Sequence, residues 1–184
     1  TDVIQMREAL LLVKCRLVSL IKTVRDFAVK YKGMPTLGYT HFQSAQPTTV
    51  GKRAALWLND LVCDLSNLDF QLSSLAMLGC KGTTGTAASF LELFDGDADK
   101  AVKLDKMIAA KFGFDKTVPV SGQTYSRKTD YNVVSVLCQI AQSAHKFSND
   151  IRLLSHEKEV EEPFESDQIG SSAMAYKRNP MRSE

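Results

Sequence analysis

Residues 1–30, TDVIQMREALLLVKCRLVSLIKTVRDFAVK, carry the clearest structural signal in the chain. Apolar side chains recur there every three or four positions from Val3 to Phe27, and Lys, Arg and Glu interrupt them on the other face. This is the period of an amphipathic α-helix, which Gly33 and Pro35 then end. A helix of roughly thirty residues is about 45 Å long, well above the average for soluble proteins.

The rest of the chain repeats this helical pattern. A second long helix is predicted from a cap at Thr48 or Thr49 to about Leu78. A short helix over 87–94, a helix over 98–112 and a last long helix over about 124–160 follow. The predicted apolar stripe of the second helix comprises Leu56, Leu61, Leu65, Leu68, Leu72 and Leu75, with Trp57 and Phe70 adding bulk.

Three helices of this length cannot wrap a compact globule of 184 residues, so their apolar stripes need partners. The predicted fold class is therefore all-α. We expect an elongated bundle of long antiparallel helices that assembles with other subunits into a larger helical core.

Composition excludes several classes of function. The formal net charge of +2 is too small to indicate binding to nucleic acid or to a membrane surface. No apolar run approaches the length of a spanning helix. The four cysteines are widely spaced and match no metal-binding pattern, so we expect reduced, mostly buried thiols in a cytoplasmic protein. The chain lacks an initiator Met and stops abruptly, which predicts a segment of a longer protein.

Three polar stretches interrupt the helices. The first is 40–46 within a predicted loop over 34–47, the second combines 81–86 with 121–123, and the third is 170–179. Successive loops of an antiparallel bundle alternate between its two ends, which such long helices hold tens of Å apart. A single site built from all three stretches would therefore take loops from neighbouring subunits.

The closing segment 170–184, GSSAMAYKRNPMRSE, has the chemistry of a loop that grips an anion. Gly170 permits close backbone approach, and Ser171 follows it at once. Lys177 and Asn179 offer a point charge and an amide that can hold a carboxylate. From composition alone, a solvated basic linker is slightly favoured over a binding loop.

Among the titratable side chains, His41 is the best acid–base candidate. It lies among hydroxyl and amide groups, and an unperturbed histidine titrates near neutrality. A structural histidine is the commoner outcome at any one position. The glutamates between 159 and 165 have no His at ligand spacing, so they favour a solvated helix end over a metal site. The stretch 81–86, KGTTGT, could cradle an anion but lacks the residue order of a P-loop.

Four stretches taken together resemble one family. They are THFQSAQPTT (40–49), KGTTGT (81–86), SGQTYSR (121–127) and GSSAMAYKRNP (170–180). The last resembles the G-S-S-x-M-P-x-K-x-N signature of the fumarase/aspartase lyase superfamily. Its extension through MRSE is similar to the adenylosuccinate lyases within that superfamily. The likeness covers the whole chain with the motifs in the right order.

The resemblance implies a carbon–nitrogen lyase of purine nucleotide synthesis. Such an enzyme eliminates fumarate from adenylosuccinate, giving AMP, and from succinylaminoimidazole carboxamide ribotide. The family's fold implies that residues 1–184 are the central helical-bundle domain, with 165–180 as a mobile signature loop. It also implies a cytoplasmic homotetramer whose active sites each combine three subunits. No cofactor, metal, nucleic acid or membrane partner is implied.

The same resemblance implies roles for six residues. Ser171 matches the general base that removes the Cβ proton of the succinyl group, and His41 matches the general acid that protonates the departing nitrogen. The matched substrate-binding positions are Thr40, Gln123, Lys177 and Asn179. Of these, Lys177 and Asn179 match groups that hold the carboxylate of the fumarate half.

One residue departs from the signature, because Ala175 stands where the signature has proline. Alanine restores a backbone N–H and frees φ, so we expect a less ordered unbound loop. Two alternative functions stay open. One is another fumarate-releasing lyase such as an argininosuccinate lyase, and the other is a non-catalytic helical assembly protein on the same fold.

Overall fold

A computed structural model of the protein describes residues 2–165, 168 and 170–184. Every predicted helix is present, with ends within a few residues of the expected ones. In chain order the elements are α1 (Asp2–Lys30), β1 (Pro35–Thr40), β2 (Gln43–Thr49), α2 (Val50–Ser74), α3 (Ala88–Leu93), α4 (Ala98–Lys111) and α5 (Lys128–His156). The all-α prediction is confirmed, apart from one small hairpin.

Helices α1 and α2 pack against each other in opposite directions. The amide of Gly51 donates to the carbonyl of Tyr31 (2.9 Å). Further along, Lys14 and Asp69 form a salt bridge (2.6 Å). Residue numbers therefore rise along α1 as they fall along α2. Buried side chains line this seam at the seven-residue spacing of a coiled coil: Val3, Leu10 and Leu17 from α1, and Ala54, Leu61, Leu68 and Leu75 from α2 and its C-cap. Trp57 is also buried, three residues after Ala54.

The predicted apolar stripe of α2 is wrong at two positions. Leu56 is 51% exposed and Phe70 is 73% exposed, whereas the polar residues Asp64 and Gln71 are buried. From Ala54 onward the buried positions of α2 are spaced alternately by three and four residues, and this seam passes through 64 and 71 but not through 56 or 70. Among the described residues, Asp64 Oδ2 is buried without a hydrogen-bond partner.

The predicted loop over 34–47 is instead an antiparallel hairpin of β1 and β2. Pro35 pairs with Thr49 at its base and Thr40 with Gln43 at its tip, and a register shift lies between Leu37 and Tyr39. Strand β2, with the sequence QSAQPTT, lacks the alternation of apolar and polar residues by which a half-buried strand is recognised, and most of its residues are exposed. Thr49 then caps α2, since its hydroxyl accepts from the amide of Lys52 (3.1 Å).

Arg7 of α1 secures the C-terminal end of α4. Its Nη1 donates to the carbonyl of Gly113 and its Nη2 to that of Phe112, both at 2.7 Å. The guanidinium also lies 4.0 Å above the ring of Phe114. These bonds satisfy carbonyls that have no partner inside a helix. They hold α4 and the irregular segment that follows it against α1.

The chain forms two compact units, Thr1–Leu137 and Cys138–Glu184, and the boundary falls within α5. The division of the chain into a single helical domain with a mobile loop over 165–180 stays a prediction. Residues 166, 167 and 169 of that predicted loop lie outside the described residues.

The exposed surface of the helices is rich in apolar side chains. Leu20 and Phe27 on α1 and Tyr131 and Val134 on α5 are among the large exposed hydrophobic residues. The prediction that the cysteines are mostly buried is wrong, because three of the four are exposed and Cys80 is half-buried. On α1 and α2 the reason is that positions 15 and 63 lie off the buried seam.

Candidate active site

The hairpin tip presents Thr40 and His41. Thr40 is the last residue of β1, and His41 and Phe42 form the two-residue turn, with φ of 52° and 56°. A two-residue turn with both φ values positive matches the right-handed twist of the flanking strands. His41 is exposed there. The imidazole is therefore open to solvent at the end of a supported hairpin.

The base of the hairpin is tied to the helices around it. Arg53 of α2 donates from Nη2 to the carbonyl of Leu37 (2.6 Å). The amide of Val50 donates to the carbonyl of Met34 (2.9 Å). The position of His41 is therefore set by α2 rather than by a free loop.

The second polar stretch forms one assembly in the structure, as its grouping in the sequence predicts. Gly85 has φ +78°, and a Cβ at this position would overlap the backbone carbonyl of Ser121. The loop 81–86 therefore lies directly on the turn 121–123. Within the loop, the hydroxyls of Thr84 and Thr86 are 3.1 Å apart. Gln123, the last residue of the turn 121–123, is exposed.

A carboxylate that the sequence analysis missed lies behind this loop. Asp105 of α4 is buried, accepts a hydrogen bond from the amide of Cys80 and forms a salt bridge with Lys81. Burial raises the pKa of the Cys80 thiol, and the charge of Asp105 raises it further. Asp105 was overlooked because a charged residue on an amphipathic helix usually faces solvent.

Residues 170–179 of the signature loop close on themselves. Asn179 donates from Nδ2 to the carbonyl of Gly170 (3.0 Å), which joins the two ends of the loop. Between them the amide of Lys177 donates to the carbonyl of Met174 (3.0 Å) and closes a four-residue turn. Ser171 is half-buried and Lys177 is exposed. The loop thus holds a hydroxyl, an ammonium and an amide within one short, tied segment.

The segment after this loop is latched to Glu162. The Ser183 hydroxyl donates to Oε1 (2.6 Å) and the Arg182 amide donates to Oε2 (2.9 Å). Burial raises the pKa of Glu162, but these hydrogen bonds outweigh it and leave the pKa below its ordinary value. A lowered pKa means that the latch stabilises the fold above the ordinary pKa of Glu and weakens as pH falls through the lowered one. The glutamates at 162 and 165 are thus tied to Arg182 and Ser183, where a solvated helix end was predicted.

A cationic cleft of about 470 Å³ opens between the end of α5 and the signature loop. Lys177 and Asn179 line it together with Arg152 and His156 from α5. Lys158 and Arg178 add positive charge to the cleft, and Glu184 is the carboxylate among the residues that line it. Such a lining suits a carboxylate or phosphate group.

The six predicted site residues fall into two groups. Thr40 and His41 are adjacent on the hairpin tip, and Gln123 lies on the turn below the 81–86 loop, all within the first compact unit. Ser171, Lys177 and Asn179 share the signature loop of the second unit. Their roles stay predictions.

Neither a metal-binding cluster nor a membrane-spanning helix occurs among the described residues. No group of three or more His, Cys, Asp or Glu side chains that could hold a metal ion occurs in them. Within the same part of the chain, no helix is long and apolar enough to cross a membrane.

Comparisons with known proteins give the family. Adenylosuccinate lyases from Saccharomyces cerevisiae and Schizosaccharomyces pombe are each 54% identical to the chain over 183 residues, covering 100% of it and 38% of the relative. A crystal structure of 3-carboxy-cis,cis-muconate lactonizing enzyme from Pseudomonas putida superposes with a TM-score of 0.81 and 31% identity, over 98% of this chain and 39% of that one. The chain thus spans less than half the length of these relatives. The family model described as lyase matches residues 2–184, and the chain therefore belongs to the lyase family.

Proposed function

We propose that the protein eliminates fumarate from adenylosuccinate, leaving AMP, and from succinylaminoimidazole carboxamide ribotide. The observation that carries this proposal is the 54% identity to two yeast adenylosuccinate lyases along the whole chain. The chain contains residues that suit the chemistry: a hydroxyl at Ser171, an imidazole at His41 and a cation at Lys177. An assembly protein without catalysis has no need of all three.

In the proposed reaction Ser171 removes the proton from the succinyl carbon next to a carboxylate. The C–N bond breaks, the C=C bond of fumarate forms, and His41 gives a proton to the departing nitrogen. Negative charge builds up on the neighbouring carboxylate, where Lys177 stabilises it. One Nδ2 hydrogen of Asn179 is used by Gly170, so the second one is available for that carboxylate.

A serine is too weak an acid to act as a base without help. We propose that the positive charges around the signature loop stabilise the alkoxide form of Ser171 once substrate is bound. Lys177, Arg178 and Arg152, which line the neighbouring cleft, are the candidate cations, although Ser171 is not among the residues that line that cleft. Thr40 and Gln123 bind other parts of the substrate in this scheme.

The proposed enzyme is a cytoplasmic homotetramer whose active sites combine residues of different subunits. Large apolar side chains exposed on α1 and α5 support an assembly that covers them.

The test is fumarate release by the complete protein from three substrates supplied separately: adenylosuccinate, succinylaminoimidazole carboxamide ribotide and argininosuccinate. We expect equal amounts of fumarate and AMP from the first, fumarate from the second, and none from the third. Fumarate from argininosuccinate alone would point to the alternative lyase. An assembled tetramer that acts on none of them would point to a non-catalytic assembly protein.

A further inference from the structure

Asp105 joins helix α4 to the loop that follows α2. It is only 8% exposed, and both of its carboxylate oxygens are used. The amide of Cys80 donates to Oδ1, and the ammonium of Lys81 donates to Oδ2. A desolvated ion pair with an added backbone hydrogen bond holds its partners far more firmly than an exposed pair does.

The shape of the loop is also matched to this carboxylate. Gly79 has φ +80°, and a Cβ at this position would overlap the Asp105 side chain. A glycine is required here both for the left-handed backbone and for the close approach. Gly79, Cys80, Lys81 and Asp105 together form what we call the Asp105 clamp.

The clamp holds the start of the polar loop in one position. From there the carbonyl of Lys81 accepts a hydrogen bond from the amide of Ala87 (2.8 Å), which closes the loop 81–87. At its far side, Gly85 abuts the backbone carbonyl of Ser121. A continuous set of contacts therefore runs from Asp105 to the turn that carries Gln123.

We propose that Asp105 is a positioning residue for the lyase reaction. It fixes the 81–86 loop and, through the contact of Gly85 with Ser121, the place of Gln123 and of the Thr84 and Thr86 hydroxyls. The inference rests on the proposed function, in which Gln123 binds substrate. Asp105 itself lies behind the loop and acts only through it.

The test is Asp105→Asn in the complete protein. The change keeps the volume and removes the charge, so Lys81 is left buried beside a neutral amide. Misplacement of substrate-binding groups by about 1 Å can cost on the order of a hundredfold in rate, so we expect kcat/KM on adenylosuccinate to fall roughly 10- to 100-fold. We expect KM to rise, which a mere loss of folded protein would not cause.

The matched control is Asp99→Asn, which makes the same change at an exposed position of the same helix. We expect wild-type kinetics from it. Amide hydrogen exchange gives a second readout that does not depend on activity. Residues 79–87 should lose protection in Asp105→Asn and keep it in the control.

A second variant, Lys81→Met, removes the same ion pair from the loop side and leaves the Cys80 hydrogen bond in place. It should raise KM as Asp105→Asn does, and it carries the test if the first variant does not fold. Unchanged exchange at 79–87, or unchanged KM despite faster exchange, would overturn the proposal. If the wild-type protein releases no fumarate while the exchange changes as expected, the proposed function fails and the clamp stands.

Discussion

At the scale of the residue, the backbone of His41 is unusual. His41 and Phe42 both have positive φ, a conformation that non-glycine side chains rarely adopt. Residues in such conformations cost about 1–3 kcal/mol each and concentrate at functional sites. Glycine or asparagine would form this turn more favourably. The turn therefore carries a cost in stability that is smaller at His41 than at Phe42, because histidine is enriched at positive φ, and this cost agrees with a role in chemistry for His41.

The first prediction separates that role from a structural one. In His41→Asn the turn should form at least as well, because asparagine tolerates positive φ. Loss of a general acid typically costs about 10²- to 10⁴-fold in turnover, so kcat should fall by that order. The measurements are kcat for fumarate release and the thermal unfolding midpoint. A variant that loses stability but keeps its turnover would show that His41 is structural.

At the scale of the element, the turn Met174–Lys177 explains what proline would do at the one position that departs from the signature. Ala175 is the second residue of this turn, which the Lys177 amide closes on the Met174 carbonyl (3.0 Å). The second position of a common β-turn is where proline is favoured, because its fixed φ fits there. Ala175 is not one of the described residues that have positive φ. The turn thus accepts either residue.

The second prediction is that Ala175→Pro preserves or improves activity. Proline at a compatible turn position stabilises by roughly 0.4–1 kcal/mol, mainly by restricting the unfolded chain. The signature loop should therefore be better ordered before substrate binds, and KM should stay equal or fall. Steady-state kinetics of the two forms of the complete protein provide the comparison. A large loss of kcat would show that the loop passes through a backbone conformation that proline cannot adopt.

The packing of α1 on α2 leads to a third prediction, at Gly51. A Cβ there would lie 2.5 Å from Lys32 Cα and 2.7 Å from its N, and both are backbone atoms that cannot turn aside. Overpacking of this kind typically costs about 1–3 kcal/mol, so Gly51→Ala should lower the free energy of unfolding by that amount. Gly33→Ala is the matched control, because nothing lies within 4 Å of its Cβ position. The measurement is the urea unfolding midpoint of both variants. Equal midpoints would contradict the close approach of Gly51 to the backbone of Lys32.

At the scale of the whole molecule, the question is whether one chain supplies a complete site. Ser171→Ala and His41→Ala should each be inactive alone. If these residues act in one site but come from different chains, mixed tetramers regain intact sites. With random assembly of equal amounts, roughly a quarter of the sites receive both intact residues. We therefore expect the mixture, refolded together, to recover about that share of wild-type activity.

The control for this fourth prediction is mixing without exchange of subunits. Two preassembled inactive variants that are combined without unfolding should stay inactive. Activity that never returns after refolding together would mean that both residues come from the same chain. Size-exclusion chromatography with light scattering should find tetramers in every sample.

Much of the fold could be predicted because its signals are local. Thr49 was one of two expected caps, and it caps α2 in the structure. The hairpin was missed because its second strand is mostly exposed and lacks an apolar face, and because its turn lacks the Asn-Gly pair that usually marks such turns. The predicted site residues were found through motif resemblance, whereas Asp105 belongs to no motif and its burial depends on a loop 24 residues earlier.

The sequence by itself determined the helices, their caps and the family motifs, because a helix depends on residues three or four positions apart and a motif on adjacent ones. Only the tertiary structure decided which face of α2 is buried and which carboxylate is clamped. Leu56 and Asp64 carry opposite expectations in the sequence, yet Leu56 is exposed and Asp64 is buried. Burial is set by contacts between segments far apart in the chain, and the geometry of the α1–α2 seam outweighs the polarity of a single residue there.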